Sequence, residues 1–183
     1  FCAPDKFLKG EKQQKEKGKL PQDFTLALGN EIYLVDREDT LTKKEAYERI
    51  SFYHFLLVAK NIEGYQALKE LSSQAWKNSF FYKGMERVPT YKDDFERILT
   101  AAKGNIVAST ACLGSEFSQN VLAYAKGDAE AKMKIHSLVT WLKGIFGTDI
   151  YVELQPADIS LDQIIYNKMA KKIAAAYGLK AIV

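Results

Sequence analysis

The sequence predicts an α/β fold in which a mainly parallel sheet, open or closed into a barrel, carries its helices on the outside. Strand-length apolar runs alternate with segments whose apolar residues recur every three or four positions, from residue 24 to the end. The run RISFYHFLLVA (49–59) is apolar at both parities, with Phe52, Leu56 and Val58 on one and Tyr53, Phe55 and Leu57 on the other. Such a strand belongs inside a parallel sheet with helices covering it. The length of 183 residues, with 47% hydrophobic and 27% charged, suits one domain with a substantial core.

Residues 1–25 are the exception to this pattern. No apolar side chain lies between Leu8 and Leu20, and Lys9 to Lys19 is mostly charged. A solvated, mobile loop or insertion is expected there, with a DNA-contacting basic arm as the alternative. FTLALGNEIYLVD (24–36) reads as strand, glycine-containing break, strand. Thr42 to Glu45 matches a capping box, so a short helix to about Arg49 is expected next.

After the 49–59 strand, Asn61 caps a helix whose buried face holds Ile62, Tyr65, Leu68, Leu71 and Ala75. Residues 90–104 read as a helix from a Thr90 cap to a Gly104 stop. NIVAST is a strand, and ACLGSEFSQNVLAYAKG turns back into helix. Asp128 caps the next helix, DIYVELQ is a strand, residues 160–178 form a helix, and LKAIV is a strand. Strand–helix alternation implies right-handed crossovers.

Composition narrows the function classes. The net charge of +3 is too mild to predict nucleic-acid binding by itself, which usually shows as a concentrated basic face. No apolar run approaches the ~20 residues of a bilayer span, so no membrane association is expected. Two cysteines, Cys2 and Cys112, make no disulfide framework, which points to a reducing cytoplasm. P-loop, GxGxxG, GxSxG and CxxC motifs are absent.

What remains is dispersed: Glu31, His54 and Cys112, each at or beside a strand. In βα barrels, ligands gather where strands meet their loops. Carboxylate, imidazole and thiolate are all zinc ligands. The bland alternatives are a core histidine, a buried small cysteine and a solvated turn glutamate. His136 shares a polar helix side with Lys132, Thr140 and Lys143 and is expected to face solvent.

The segments GNEIYLV, HFLLVAKNIEGYQALKELSSQAW, IVASTACLGSEF and WLKGIFGTDIYVELQ together resemble the PHP (polymerase and histidinol phosphatase) domain of the bacterial DNA polymerase III alpha subunit, a C-family replicative polymerase. The likeness runs from about Leu26 to Val183, leaving 1–25 as an apparent insertion and 26–183 as a partial domain. It implies part of a distorted (β/α)7 barrel with a mainly parallel sheet and outer helices. It also implies that Glu31, His54 and Cys112 stand at three of up to nine metal-ligand positions.

The HxH, Asp-His and Asp-x-His motifs of that family are absent, and the resemblance places them before Phe1 and after Val183. Glu153 and Gln155 match a recurrent family strand, but PADIS follows them, so no ligand is assigned there. The implied cofactors are divalent ions, zinc first, with manganese or iron as alternatives. The implied partners are DNA and other replisome subunits, through the complete polymerase. Three functions follow: a metal-dependent 3′–5′ exonuclease or phosphoesterase site within a polymerase, a metal-free scaffold, or a free-standing phosphatase. Catalytic residues are not assigned, and the 183-residue chain alone is expected to be inactive. If the metal reading holds, the donor atoms of Glu31, His54 and Cys112 should lie within roughly 8 Å, two bonds plus one metal–metal distance.

Overall fold

The computed structural model describes residues 3–44, 48–156 and 160–183. Its elements, in order, are α1 (Ala3–Glu16), β1 (Leu28–Val35), α2 (Arg37–Lys43), β2 (Tyr53–Ala59) and α3 (Ile62–Lys77). A hairpin of β3 (Phe80–Tyr82) and β4 (Met85–Arg87) follows, then β5 (Thr90–Tyr91), α4 (Lys92–Ala101) and β6 (Ile106–Ser109). The chain continues through α5 (Glu116–Ala125), α6 (Ala129–Phe146), β7 (Ile150–Glu153), α7 (Leu161–Tyr177) and β8 (Lys180–Ile182).

Six strands form one open sheet in the order β5-β1-β2-β6-β7-β8. The sheet is mainly parallel, as expected, because five of its strands share one direction. The exception is β2, which runs antiparallel to both neighbours, β1 and β6. An apolar run at both parities signals burial but not direction, so the expectation of a parallel β2 is corrected here.

Alternation along the strands divides the sheet into two unlike faces. Ile32, Leu34, Phe55, Leu57, Ile106, Ala108, Ile150 and Val152 point to one side and pack with α3 to α7 in a single core. Phe55 stacks on Phe146 at 6.2 Å and meets Phe95 edge-on at 5.4 Å. Each such buried side chain contributes roughly 1.5–3 kcal/mol by leaving water. The opposite face carries Glu31, Tyr33, His54, Leu56, Ser109, Tyr151 and Glu153, and of these only Ser109 is buried.

Two expected caps form: Asn61 accepts from Gly64 N, and Asp128 from Glu130 N and Ala131 N. Ser160, not singled out in the sequence, caps α7 by accepting from Gln163 N. Four expectations fail. Residues 3–16 form α1 rather than a loop. Lys, Glu and Gln are good helix formers, and Glu11 pairs with Lys15 one turn on at 2.9 Å, so a helix forms without an apolar stripe.

The Gly29 break is absent, and the glycine sits inside β1. Thr42 lies in the last turn of α2, its hydroxyl donating to Glu38 O, so the helix starts six residues early, with Asp36 at the N-cap position. The Glu45 half of the expected capping box lies outside the described residues, as does Cys2. Thr90 does not cap α4; it pairs with Leu34 as part of β5, and Tyr91 precedes the helix without a side-chain cap. Among the described residues no helix is long and apolar enough to cross a membrane.

Candidate metal centre

The reversal of β2 places its first residues at the end of the sheet where the parallel strands finish. Tyr33 faces His54 in the β1–β2 register, and Leu56 faces Ser109 in the β2–β6 register. His54 therefore reaches the same rim as the loop that follows β6, despite preceding its own apolar run. Glu31 lies on the same sheet face, diagonal to His54.

The loop after β6 is tightly built. Ala111 takes a left-handed conformation (φ 54°), and its N–H donates to Ser109 Oγ at 3.1 Å. Ser118 Oγ donates to Cys112 O at 2.9 Å, and Ser115 Oγ donates to Ser118 Oγ at 2.8 Å. Ser115 also caps α5 by accepting from Ser118 N. These bonds direct the Cys112 thiol toward β2.

Glu31 Oε1 lies 2.7 Å from His54 Nδ1, and Cys112 Sγ lies 3.5 Å from the same nitrogen. One donor atom from each residue falls within 4.8 Å of the others. All three expected residues are thus brought together, inside the 8 Å bound. Gly114 N donates to Cys112 Sγ at 3.3 Å, and Gly114 O accepts from His54 N. A Cβ on Gly114 would stand 3.1 Å from His54 Cδ2 and 3.4 Å from Cys112 Sγ, so a side chain there would press imidazole and thiol apart by a few tenths of an ångström. Tyr33 meets the His54 ring edge-on at 5.1 Å.

Beneath the loop lies a second layer that the motifs did not disclose. Ser109 Oγ donates to Glu153 Oε2 at 2.5 Å, and Gln155 Nε2 donates to Glu153 Oε1. Glu153 N donates in turn to Thr110 Oγ1, and Tyr166 OH donates to Glu153 O. Burial raises the Tyr166 phenol above its ordinary range, keeping it a neutral donor. The Glu153–Ser109–Ala111 bonds hold the turn that presents Cys112. His136 is exposed, as expected, with Nδ1 3.2 Å from Tyr177 OH, and has no part in the cluster.

A larger cleft, about 770 Å³, opens elsewhere, between α4, α6 and the start of α5. Several of its charges are paired with one another, while Glu38 and Glu96 of the same lining make no ion pair among the described residues. Lys92 pairs with Asp36 and Glu116, and Arg37 with Asp93 and Asp94. Burial disfavours the Lys92 charge, but the Glu116 charge and bonds to Asp36 and Glu116 outweigh it, so its pKa is raised. Burial likewise opposes the Asp93 charge, and the Arg37 guanidinium overcomes it, holding Asp93 below the ordinary carboxylate range. The Lys92 and Arg37 pairs tie the end of β1 and the start of α2 to α4 and α5.

Comparison with known proteins matches residues 2–157 to the PHP domain family model. The chain is 44% identical over 181 residues to "Probable DNA polymerase YorL" of Bacillus subtilis (strain 168), covering 94% of this chain. A "DNA-directed DNA polymerase" of Bacillus phage SPbeta gives the same identity and coverage. The "DNA polymerase III subunit alpha" of Borreliella burgdorferi is 31% identical over 152 residues, 83% of this chain. The chain spans only 12–14% of the length of these relatives.

Proposed function

The chain belongs to the PHP domain family, and from that membership we propose that it serves DNA replication as the PHP part of a polymerase of the DNA polymerase III alpha type. In this reading Glu31, His54 and Cys112 ligate a divalent ion in a site for phosphodiester hydrolysis at a 3′ end. The observation that carries it is the convergence of carboxylate, imidazole and thiol within 4.8 Å, from residues 23 and 58 positions apart.

The donor set fits a metal. Ligands on one zinc, with bonds of ~2.0–2.3 Å, stand roughly 3.3–3.8 Å apart in tetrahedral geometry. A mixed nitrogen, sulfur and oxygen set favours zinc, with manganese and iron as the weaker alternatives. The ion would supply Lewis acidity and an activated water. The protein's own contribution is orientation. Gly114 lets imidazole and thiol approach. The Glu153–Ser109 pair fixes the thiol's loop.

Three donors leave one tetrahedral position open, as catalytic zinc sites require. They do not supply the second ion of a two-metal phosphodiester clamp. DNA and other replisome subunits are the partners this reading assigns, in the cytoplasm, through the complete polymerase.

Cobalt substitution tests it. Titration of the chain with Co²⁺ should produce a sulfur-to-metal charge-transfer band that Cys112→Ser abolishes and His54→Ala weakens. Absence of the band at saturating Co²⁺ would refute ligation and leave the metal-free scaffold as the function of this domain.

A further inference from the structure

A cleft of about 470 Å³ runs from the candidate centre along the 49–54 segment, lined among others by Arg49, Ser51, Phe52, His54 and Gln119. Aromatic rings continue in the same direction. His54 meets Tyr33 edge-on, Tyr33 meets Phe52 at 6.2 Å, and Phe52 meets Phe80 at 6.5 Å. Phe80 belongs to the β3–β4 hairpin, which Tyr82 ties to the cleft segment by donating its hydroxyl to Glu48 O.

Cations flank the rings. The Arg87 guanidinium lies 5.0 Å from the Phe52 centroid, and Lys44 Nζ lies 4.8 Å from that of Phe80. Neither Arg49 nor Arg87 makes an ion pair among the described residues, whereas Arg37 and Arg97 are both paired. Arg87 Nε is buried without a hydrogen-bond partner in the described structure. Glu86 faces Phe81 in the hairpin register and so projects to the side opposite Phe80 and Arg87. That acidic side chain is turned away from the strip, and the carboxylate at its His54 end is Glu31, held against the imidazole.

We propose that this strip binds single-stranded nucleic acid, with a base stacked on Tyr33, phosphates on Arg49 and Arg87, and one strand end directed at His54. Unpaired strands are held by this combination of aromatic platforms and unneutralised cations beside them. Tyr33 is 44% exposed and offers its ring on the open sheet face. Duplex does not suit the strip, because its bases are already stacked on one another. The delivery of an end to His54 rests on the hydrolytic reading above; the binding itself does not.

The test is fluorescence anisotropy of a labelled oligothymidylate with this chain in EDTA, between about 50 and 200 mM salt. Single strand should bind more tightly than the matching duplex. The Arg49→Ala/Arg87→Ala double variant should bind at least tenfold more weakly, with a log–log salt slope shallower by roughly 1.4, about 0.7 per lost phosphate contact. Tyr33→Leu should cost roughly tenfold while leaving the slope unchanged, the mark of lost stacking. Lys132→Ala, on the helix layer, should change nothing. Because Arg87 packs on Phe52, Arg49→Ala alone decides the matter if the double variant is misfolded by circular dichroism. No binding at low salt, equal affinity for duplex, or unchanged affinity in both Arg49→Ala and Tyr33→Leu overturns the proposal. Since no metal is present, a failed Co²⁺ titration leaves these results standing.

Discussion

The three candidate ligands were legible through the resemblance to the PHP family; their residue types alone also admitted a core histidine, a buried cysteine and a solvated glutamate. The bonds that support them were not legible. Ser109 and Glu153 are 44 residues apart and meet only because β6 and β7 pair, so no spacing in the chain announces them. In the proposed role, His54→Ala and Cys112→Ala should each lower bound metal in elemental analysis, and His136→Ala should leave it unchanged. Ser109→Ala removes the hydroxyl between Glu153 and Ala111 but touches no donor atom. It should weaken metal affinity about tenfold or more, the range for lost support of a ligand, as read by competition with a chelating dye.

Helices α3 to α7 and strands β2, β6, β7 and β8 followed from periodicity, whereas α1, the start of α2, the β3–β4 hairpin and β5 did not. The hairpin turns at Lys83–Gly84, where φ is 50° and 77°, but a lysine in place of Asn or Asp hides the usual signal. β5 has only two residues, too few for any alternation. The EGY motif has a packing reason that only coordinates disclose. A Cβ on Gly64 would lie 2.1 Å from Asn105 O, so α3 can seat against the β6 approach only with glycine there. Gly64→Ala should destabilise the chain by about 1–3 kcal/mol, measured by urea unfolding.

Lys92 acts at the same scale, joining the end of β1 to the starts of α4 and α5. Both Lys92 and Glu116 side chains keep only about a fifth of their exposure (23% and 21%). Lys92→Met should cost about 1–2 kcal/mol, less than a fully buried pair. Since the folded pKa of Lys92 is raised, its contribution is complete below the ordinary value of 10.5 and fades as pH rises beyond it. The stability gap between wild type and variant should be flat at neutral pH and narrow in strong alkali.

At the scale of the whole molecule, the layered α/β plan was visible in the sequence and the mixed sheet was not. Apolarity on both parities of β2 records that both sides are covered or half-covered, and hydrogen-bond direction leaves no trace in it. The outcome is a sheet with helices on one face and polar, half-exposed side chains on the other. Three donors on that open face lead to a stoichiometric expectation. The chain should bind one ion, not two, by mass spectrometry under native conditions. It should show no metal-dependent cleavage of a 3′-ended oligonucleotide, and measurable turnover would overturn that statement.

The register of β2 ties two inheritable properties to one physical variable. His54 points to the open rim and Phe55 to the aromatic core, so a one-residue insertion or deletion between Tyr53 and Leu57 exchanges them. An imidazole would enter the packed interior as a phenyl ring left it. Length changes in this strand would therefore be lost from a lineage on folding grounds before any test of activity, while point substitutions at His54 remain open. Descendants of such a chain can lose the proposed metal site while retaining the strand, and scanning mutagenesis should find position 54 permissive for abundance wherever 55 is not.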